Sequence, residues 1–406
     1  MNIVILTTLL PYPLTSGGAQ AQYNMINKLR ENHNIAIVFP ERAANSISAM
    51  LKLQEIWPNV TFYPYRYILQ WLDLKFLFSK IKRASDLLFR RNNDRFKVER
   101  ILKPYGMPSD KRFHSFLNDI ISKENADIVQ IEFFQFLHHV HMLPKNVKKV
   151  FVHHELRYVR NQRLLNGIKL LQRERQLFED VKRNEIEDLN CFDKVITLTS
   201  IDRDELLRSG VNVPIHVSPA AINTPTKQYS GWNGSIVFLG GYGHIPNQEG
   251  LKWFLENVST KIDWSKYPNT HIDIIGKGWD ETKIKITKSE VSIKIHGFVE
   301  DLSQVLCGAI MIVPILSGSG MRMKILEASA LGVPFITTSV GVEGLSFDKD
   351  KSCLIEDSSE TWARALESLM TSDELRSKLA SSAYNVYNAM YSTEALAKVR
   401  DSIYYS

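Results

Sequence analysis

Arg322 and Lys324 stand two residues apart, directly after the small-residue run Ser317-Gly318-Ser319-Gly320-Met321 and just before a carboxylate, Glu327. Residues of these types in this order can hold a phosphorylated ligand. Glycines let a ligand approach the backbone closely. The first turn of a helix offers free N–H groups and an effective positive charge of ~0.5 e, where phosphates are stabilised. An arginine grips two phosphate oxygens at once, and a lysine acts as a mobile point charge. Glu327 is a poor phosphate partner and a good acceptor for ribose hydroxyls. The other reading is a strand-to-helix crossover whose glycines serve packing, and the loop alone leaves both open. Two features weigh toward an anion. The helix dipole disfavours cations in a first turn, and "ALGVPFITTSVGVEGL" returns the next strand with a second glycine turn, Gly341 and Gly344, at the same edge.

The other reactive groups are fewer. His153, His154 and Glu155 end an apolar run. Neighbours on a strand point to opposite faces, so at most one histidine faces a site, and a metal site there is not expected. Asp202-Arg203-Asp204 spells D-x-D, but it opens a helix after "ITLTS". There Ser200 can cap and acids suit the first turn, so a capping role is expected. "GGYGH" (240–244) lacks the G-x-G-x-x-G spacing of a nicotinamide site. No G-x-S-x-G elbow marks a serine hydrolase. The three cysteines, Cys191, Cys307 and Cys353, are odd in number and form no C-x-x-C pair, which fits a reducing cytosol.

The elements that must position these groups alternate between short apolar runs and amphipathic runs. This is the pattern of α/β layers built on parallel strands. Strands are expected at 2–8, 34–40, 126–133, 148–154 and 193–200, with a helix at 17–32. A polar, proline- and glycine-bearing stretch at 224–234 reads as a linker. A second series follows at 235–241, 270–278, 291–298, 309–315 and 333–339, with helices at 247–258, 300–307 and 321–332. The fold class expected is therefore α/β with two doubly wound, Rossmann-like domains facing a cleft. They cover 1–222 and 223–389, with a final helix at about 390–406 that can return to the first. The chain's 406 residues suit two domains. Ligands are expected at the carboxyl ends of the strands and in the cleft.

Composition excludes some classes. No apolar run reaches the ~18 residues that span a bilayer. The N-terminal "MNIVILTTLLPYPL" lacks a basic n-region and is broken by Pro11 and Pro13, so a first strand is expected rather than a leader. The net charge of +6 is concentrated: residues 66–112 hold 13 Lys or Arg against five Asp or Glu, leaving the rest of the chain at −2. That segment mixes Trp71, Phe76, Phe78 and Phe89 with Lys80, Lys82, Arg83, Arg90 and Arg91. It reads either as a basic amphipathic surface for an anionic membrane or as a solvated helix pair with its aromatics in the core. No nucleic-acid motif accompanies the charge, so no nucleic-acid partner is expected.

Residues 317–345, "SGSGMRMKILEASALGVPFITTSVGVEGL", resemble the donor-binding signature of GT-B glycosyltransferases, in particular the large retaining family 4 (glycosyl transferases group 1). "VFLGGYGHIPNQEGLKWFLENV" (237–258), "IDIIGKG" (272–278) and "IHGFVEDLSQVL" (295–306) are similar to further elements of that family's C-terminal domain. "PYPLTSGGAQ" (11–20) is similar to its first glycine loop. The resemblance is weak between about 45 and 125.

It implies a metal-independent, retaining transferase of hexosyltransferase type, with a nucleotide-diphosphate sugar as donor substrate and no cofactor. A glycan or lipid-linked hydroxyl would be the acceptor. The setting implied is cell-surface polysaccharide or glycoconjugate synthesis in the cytoplasm, peripheral at the membrane's inner face if 66–112 binds there. The catalytic roles fall on His154, Glu155, Arg322 and Lys324. Donor binding falls on Gly17, Gly18, Gly240, Gly241, Asn247, Gly276, Gly278, Ser319, Gly320, Met321 and Glu327. The family often places a glutamate where this chain has Ser319. That departure leaves a silent nucleotide-sugar-binding partner as one alternative; a sugar-nucleotide epimerase on the same fold is another.

Overall fold

A computed structural model describes residues 1–14, 17–41, 44–66, 94–102, 111–222, 226–282, 284, 291–318 and 321–406. Ser319, Gly320 and most of the basic segment 66–112, with Trp71, Phe76, Phe78 and Phe89, lie outside the described residues. The chain divides into two compact units. Met1–Ser218 together with Ile403–Ser406 form the first, and Pro219–Ser402 the second.

The first unit is built on seven strands: β1 (Asn2–Leu6), β2 (Asn34–Pro40), β3 (Val60–Tyr65), β4 (Ile128–Glu132), β5 (Lys148–His153), β6 (Lys194–Thr197) and β7 (Ile215–Val217). All pair in parallel, in the order β3-β2-β1-β4-β5-β6-β7. Every residue of β4 and β6 is buried, because helices cover both faces of a parallel sheet. Val4, Leu6, Val129, Ile131, Phe136 and Phe151 belong to its core. β3 was not expected from the sequence. It contains Pro64, which cannot donate to a ladder, and it is tolerated because β3 is the sheet's edge.

The second unit has six parallel strands: β8 (Ser235–Leu239), β9 (His271–Ile275), β10 (Ser292–Gly297), β11 (Ile310–Val313), β12 (Phe335–Thr337) and β13 (Leu354–Ile355). Their order is β10-β9-β8-β11-β12-β13. β10, at the edge, alternates exposed and half-buried residues, whereas the interior β11 is buried throughout. In each sheet the strand order reverses at one place, between β1 and β4 and between β8 and β11. Such reversals open the crevice in which doubly wound sheets bind ligands.

Local chemistry sets the helix ends. Helix Ile245–Trp253 carries Pro246 in its first turn, where a missing N–H costs nothing. It runs straight into a π-turn at Phe254–Val258. The expected capping of helix Ser200–Arg208 is present but one residue earlier. Thr199, not Ser200, is the cap, accepting from Asp202 N at 3.1 Å and donating to Asp202 Oδ2 at 2.8 Å. The final helix expected at about 390–406 is Thr393–Tyr405, separated from the preceding helix Asp373–Met390 at Tyr391 and Ser392. The final residues tie into the first unit. Lys194 Nζ donates to Ile403 O and Ser406 Oγ, both at 2.6 Å, and Tyr404 OH reaches Gln130 Oε1. Among the described residues no helix is long and apolar enough to cross a membrane.

Candidate active site

At the switch point of the second sheet, the loops after β8 and β11 bring distant residues together. Helix Met323–Ala330 follows β11, and Arg322 is its N-cap, with φ −88° and ψ 81°. Arg322 therefore sits just before the first turn rather than in it, and Lys324 is the cation inside that turn. Arg322 as a residue is buried, 8% exposed. It donates to Val340 O at 3.2 Å and, over a long 3.4 Å, to Gly318 O. It thus bridges the loop after β11 and the turn after β12. Gly318 has φ +113°, a conformation side chains rarely adopt.

Lys324 Nζ donates to Asn247 Oδ1 at 3.0 Å and lies 5.2 Å from the centroid of the Phe238 ring. Burial, reinforced by the like charge of Arg322 and opposed by Glu327, lowers its pKa to about 7. Among the described residues its ammonium has no ion-pair partner. Asn247 comes from the first helix of the same unit, and its Nδ2 donates to Gly241 O at 3.0 Å. Glu327, on the same helix as Lys324, is 6% exposed. The Met321 sulfur accepts a hydrogen bond from Ala220 N at 3.3 Å.

The glycines of this region divide into two kinds. A Cβ on Gly240 would lie 2.6 Å from the Asn247 amide carbon, and one on Gly276 would lie 2.4 Å from Gly240 O. These two glycines let the ends of β8 and β9 and the Asn247 side chain pack together, a role the donor-binding expectation did not include. Gly278 has φ +86° and lies against Tyr242, while Gly241 faces Lys277 O. The Gly240 carbonyl is held by Trp279 Nε1 at 2.6 Å.

In the first unit, the loops after β1, β4 and β5 converge at its switch point. Gly18 opens helix Gly17–Leu29, and a Cβ there would come within 3.3 Å of the Phe133 ring. Phe133 follows β4 with φ 69° and ψ 143°, a region that usually admits only glycine. Its ring stacks on His154 at 4.2 Å between centroids and 17° between planes. His154 Nε2 bonds Glu132 Oε2. A carboxylate only accepts, so Nε2 carries the hydrogen and Nδ1 has no partner among the described residues.

His153 turns away, as strand alternation requires, and bonds Glu185 Oε1 at 3.0 Å. Glu155 pairs with Arg160 at 3.3 Å. His154 and Glu155 thus bond to different partners, Glu132 and Arg160. Glu132 and Phe133 went unnoticed in the sequence, where a carboxylate closing a buried strand, "VQIEFF", was the available signal.

Two doubly wound parallel sheets with these switch-point loops are the GT-B fold of glycosyltransferases. Three solved structures share it along their length: S. aureus TarM (TM-score 0.68, 13% identity, 100% of this chain and 99% of that one), Anabaena HepE in complex with UDP (0.68, 10%, 100% of both chains), and the sucrose-phosphate synthase of Thermosynechococcus elongatus (0.66, 12%, 100% and 98%). Residues 233–372 match the family model Glycosyl transferases group 1. An "Uncharacterized 44.6 kDa protein in cps region" of Klebsiella pneumoniae is 22% identical over 227 residues. That similarity covers 54% of this chain and 57% of the Klebsiella protein, so it spans little more than half of either.

Proposed function

We propose that this protein is a glycosyltransferase that moves a sugar from a nucleotide-diphosphate donor to a hydroxyl of a glycan or lipid-linked acceptor, with retention of anomeric configuration. The observation that carries the proposal is the cation pair Arg322 and Lys324. It sits at the switch point of the second sheet, inside the segment that matches the glycosyltransferase family. HepE, of the same fold, has been crystallised with UDP-glucose, and TarM with UDP and α-GlcNAc-glycerol. The relative in a cps region supports a setting in polysaccharide synthesis.

In the proposed mechanism the diphosphate binds beside Arg322 and Lys324, which stabilise the charge growing on the leaving group as the glycosidic bond breaks. Glu327 accepts from the ribose hydroxyls. The positive charge developing on the sugar is stabilised by the departing diphosphate on the same face. Protein cations carry the leaving-group charge, so no metal ion is required. In the first unit, His154, oriented by Glu132, and the glycine loop at Gly17 and Gly18 are the groups proposed to serve sugar binding.

The test has two stages. UDP-, GDP- and ADP-sugars are screened for a rise in melting temperature, since a ligand of the native state stabilises it. The donor that binds is then incubated with glycan and lipid-linked acceptors, and the anomeric configuration of the product is read by NMR. Acceptor-dependent release of free nucleotide is expected. Interconversion of the sugar nucleotide without an acceptor would instead identify an epimerase, and binding without turnover a silent partner.

A further inference from the structure

We infer that Asn247 is a positioning residue for Lys324 rather than a donor ligand, and that a nucleoside diphosphate bound at this cradle takes up a proton from solvent. The inference rests on the function proposed above. Asn247 is 6% exposed and both ends of its amide are engaged inside the protein. Nδ2 donates to Gly241 O, which fixes the orientation of the amide, so Oδ1 faces Lys324 Nζ. Gly240, with no Cβ, makes room for this amide: a Cβ there would lie 2.6 Å from the amide carbon. Asn247 therefore sets where Lys324 points, across 77 residues of sequence.

The partner it offers is neutral. Lys324 receives an amide oxygen on one side and the Phe238 ring on another. The charged groups that act on it are Arg322, which repels its charged form, and Glu327, which favours it. Helix Ile245–Trp253 brings Asn247 to it, and the acidic Glu249 of that helix is engaged with Ser317 Oγ at 2.7 Å. Helix Asp373–Met390 packs on the helix of Lys324. Its Arg376 and Asp373 are taken up with each other and with Tyr229. A buried lysine with a neutral partner and an arginine neighbour gives up its proton readily, and the depressed value of Lys324 agrees.

An arriving diphosphate supplies the missing counter-charge. The balance is simple: the Lys324 amine takes one proton from solvent and becomes an ammonium, and no covalent bond forms or breaks. Release of the nucleotide product then returns the proton. The site carries its full positive charge only when it is loaded.

Isothermal titration calorimetry tests this. UDP, GDP and ADP are titrated in turn at pH 8 in buffers of different ionisation enthalpy, and the nucleotide that binds is used throughout. At this pH the terminal phosphate, with a second pKa near ~6, is already ionised, so proton changes report the protein. Close to one proton taken up per nucleotide is expected for the natural chain. Asn247→Asp sets a carboxylate against Lys324 and keeps it charged before ligand arrives; nucleotide should still bind while the uptake falls toward zero. Lys324→Met should remove the uptake as well, with circular dichroism confirming that both variants fold. Binding by the natural chain without proton uptake would overturn the inference and leave the proposed function standing. Unchanged uptake in Asn247→Asp would overturn the role of Asn247. No binding of any of the three nucleotides would overturn the proposed function and this inference with it.

Discussion

His153 Nε2 and Glu185 Oε1 lie 3.0 Å apart, with side chains 1% and 0% exposed. The carboxylate is shared: Glu185 Oε1 also accepts from Arg157 N at 3.1 Å, and Glu185 Oε2 accepts from Tyr158 N at 3.2 Å. Glu185 thus satisfies the first N–H groups of helix Arg157–Leu164, which otherwise lack partners, and anchors the imidazole at the end of β5. Glu185→Ala strands all three donors in a dry interior and should cost about 3 kcal/mol or more of stability. Urea unfolding followed by circular dichroism measures this. A loss under about 1 kcal/mol would show that the network relaxes onto other partners.

Gly250 offers a test of close packing. It lies within helix Ile245–Trp253, where alanine normally stabilises by about 1 kcal/mol over glycine. Here a Cβ would come 2.1 Å from Pro314 O, a backbone atom at the end of β11. Gly250→Ala is therefore expected to destabilise, by about 1–3 kcal/mol, against its own helix propensity. Thermal melting of the variant decides the sign.

Much of this was legible in the sequence because strands buried on both faces write themselves as apolar runs. β1, β4, β8 and β11 are of that kind. β7 and β13 are too short to stand out, and β3 was masked by Pro64. The cation pair was visible because both members lie in one short segment. Its partner Asn247 reads from the sequence only as a donor-binding residue, since nothing there says that an amide 77 residues away will meet Lys324. Glu185 was invisible for the opposite reason. In "KRNEIEDL" it looks like one more solvated carboxylate, and only the packing of its helix on β5 buries it. Gly240 and Gly276 read as room for a ligand, but their missing side chains admit a neighbouring amide and carbonyl.

The proposed roles of the two cations predict kinetics. Arg322→Ala and Lys324→Ala should each lower turnover by ~10²-fold or more, the usual cost of removing a group that stabilises developing charge. Arg322→Lys should not restore it, because an ammonium cannot span both Val340 O and a phosphate as a fork does. Chelator should leave the rate of the natural chain unchanged. Single-turnover transfer assays check all three, and near-natural turnover in both alanine variants would remove the assigned roles.

Lys324 also predicts how stability depends on pH. Its ordinary value is 10.5 and its folded value about 7. Between those two pH values the unfolded chain holds a proton that the folded chain does not, so the lysine's contribution makes stability rise with pH. The slope is at most about 1.4 kcal/mol per pH unit. Below about 7 both states are protonated, and the penalty of burying the charge is present in full. Lys324→Met removes this dependence. The variant should exceed the natural chain in stability by most near pH 7, and its advantage should shrink by roughly 2–4 kcal/mol by pH 9.5. Five of the seven tryptophans, Trp232, Trp253, Trp264, Trp279 and Trp362, lie in the second unit. Urea unfolding followed by tryptophan emission therefore reports the unit that holds Lys324. Parallel stability profiles for the two proteins across this range would mean that Lys324 stays protonated in the folded chain.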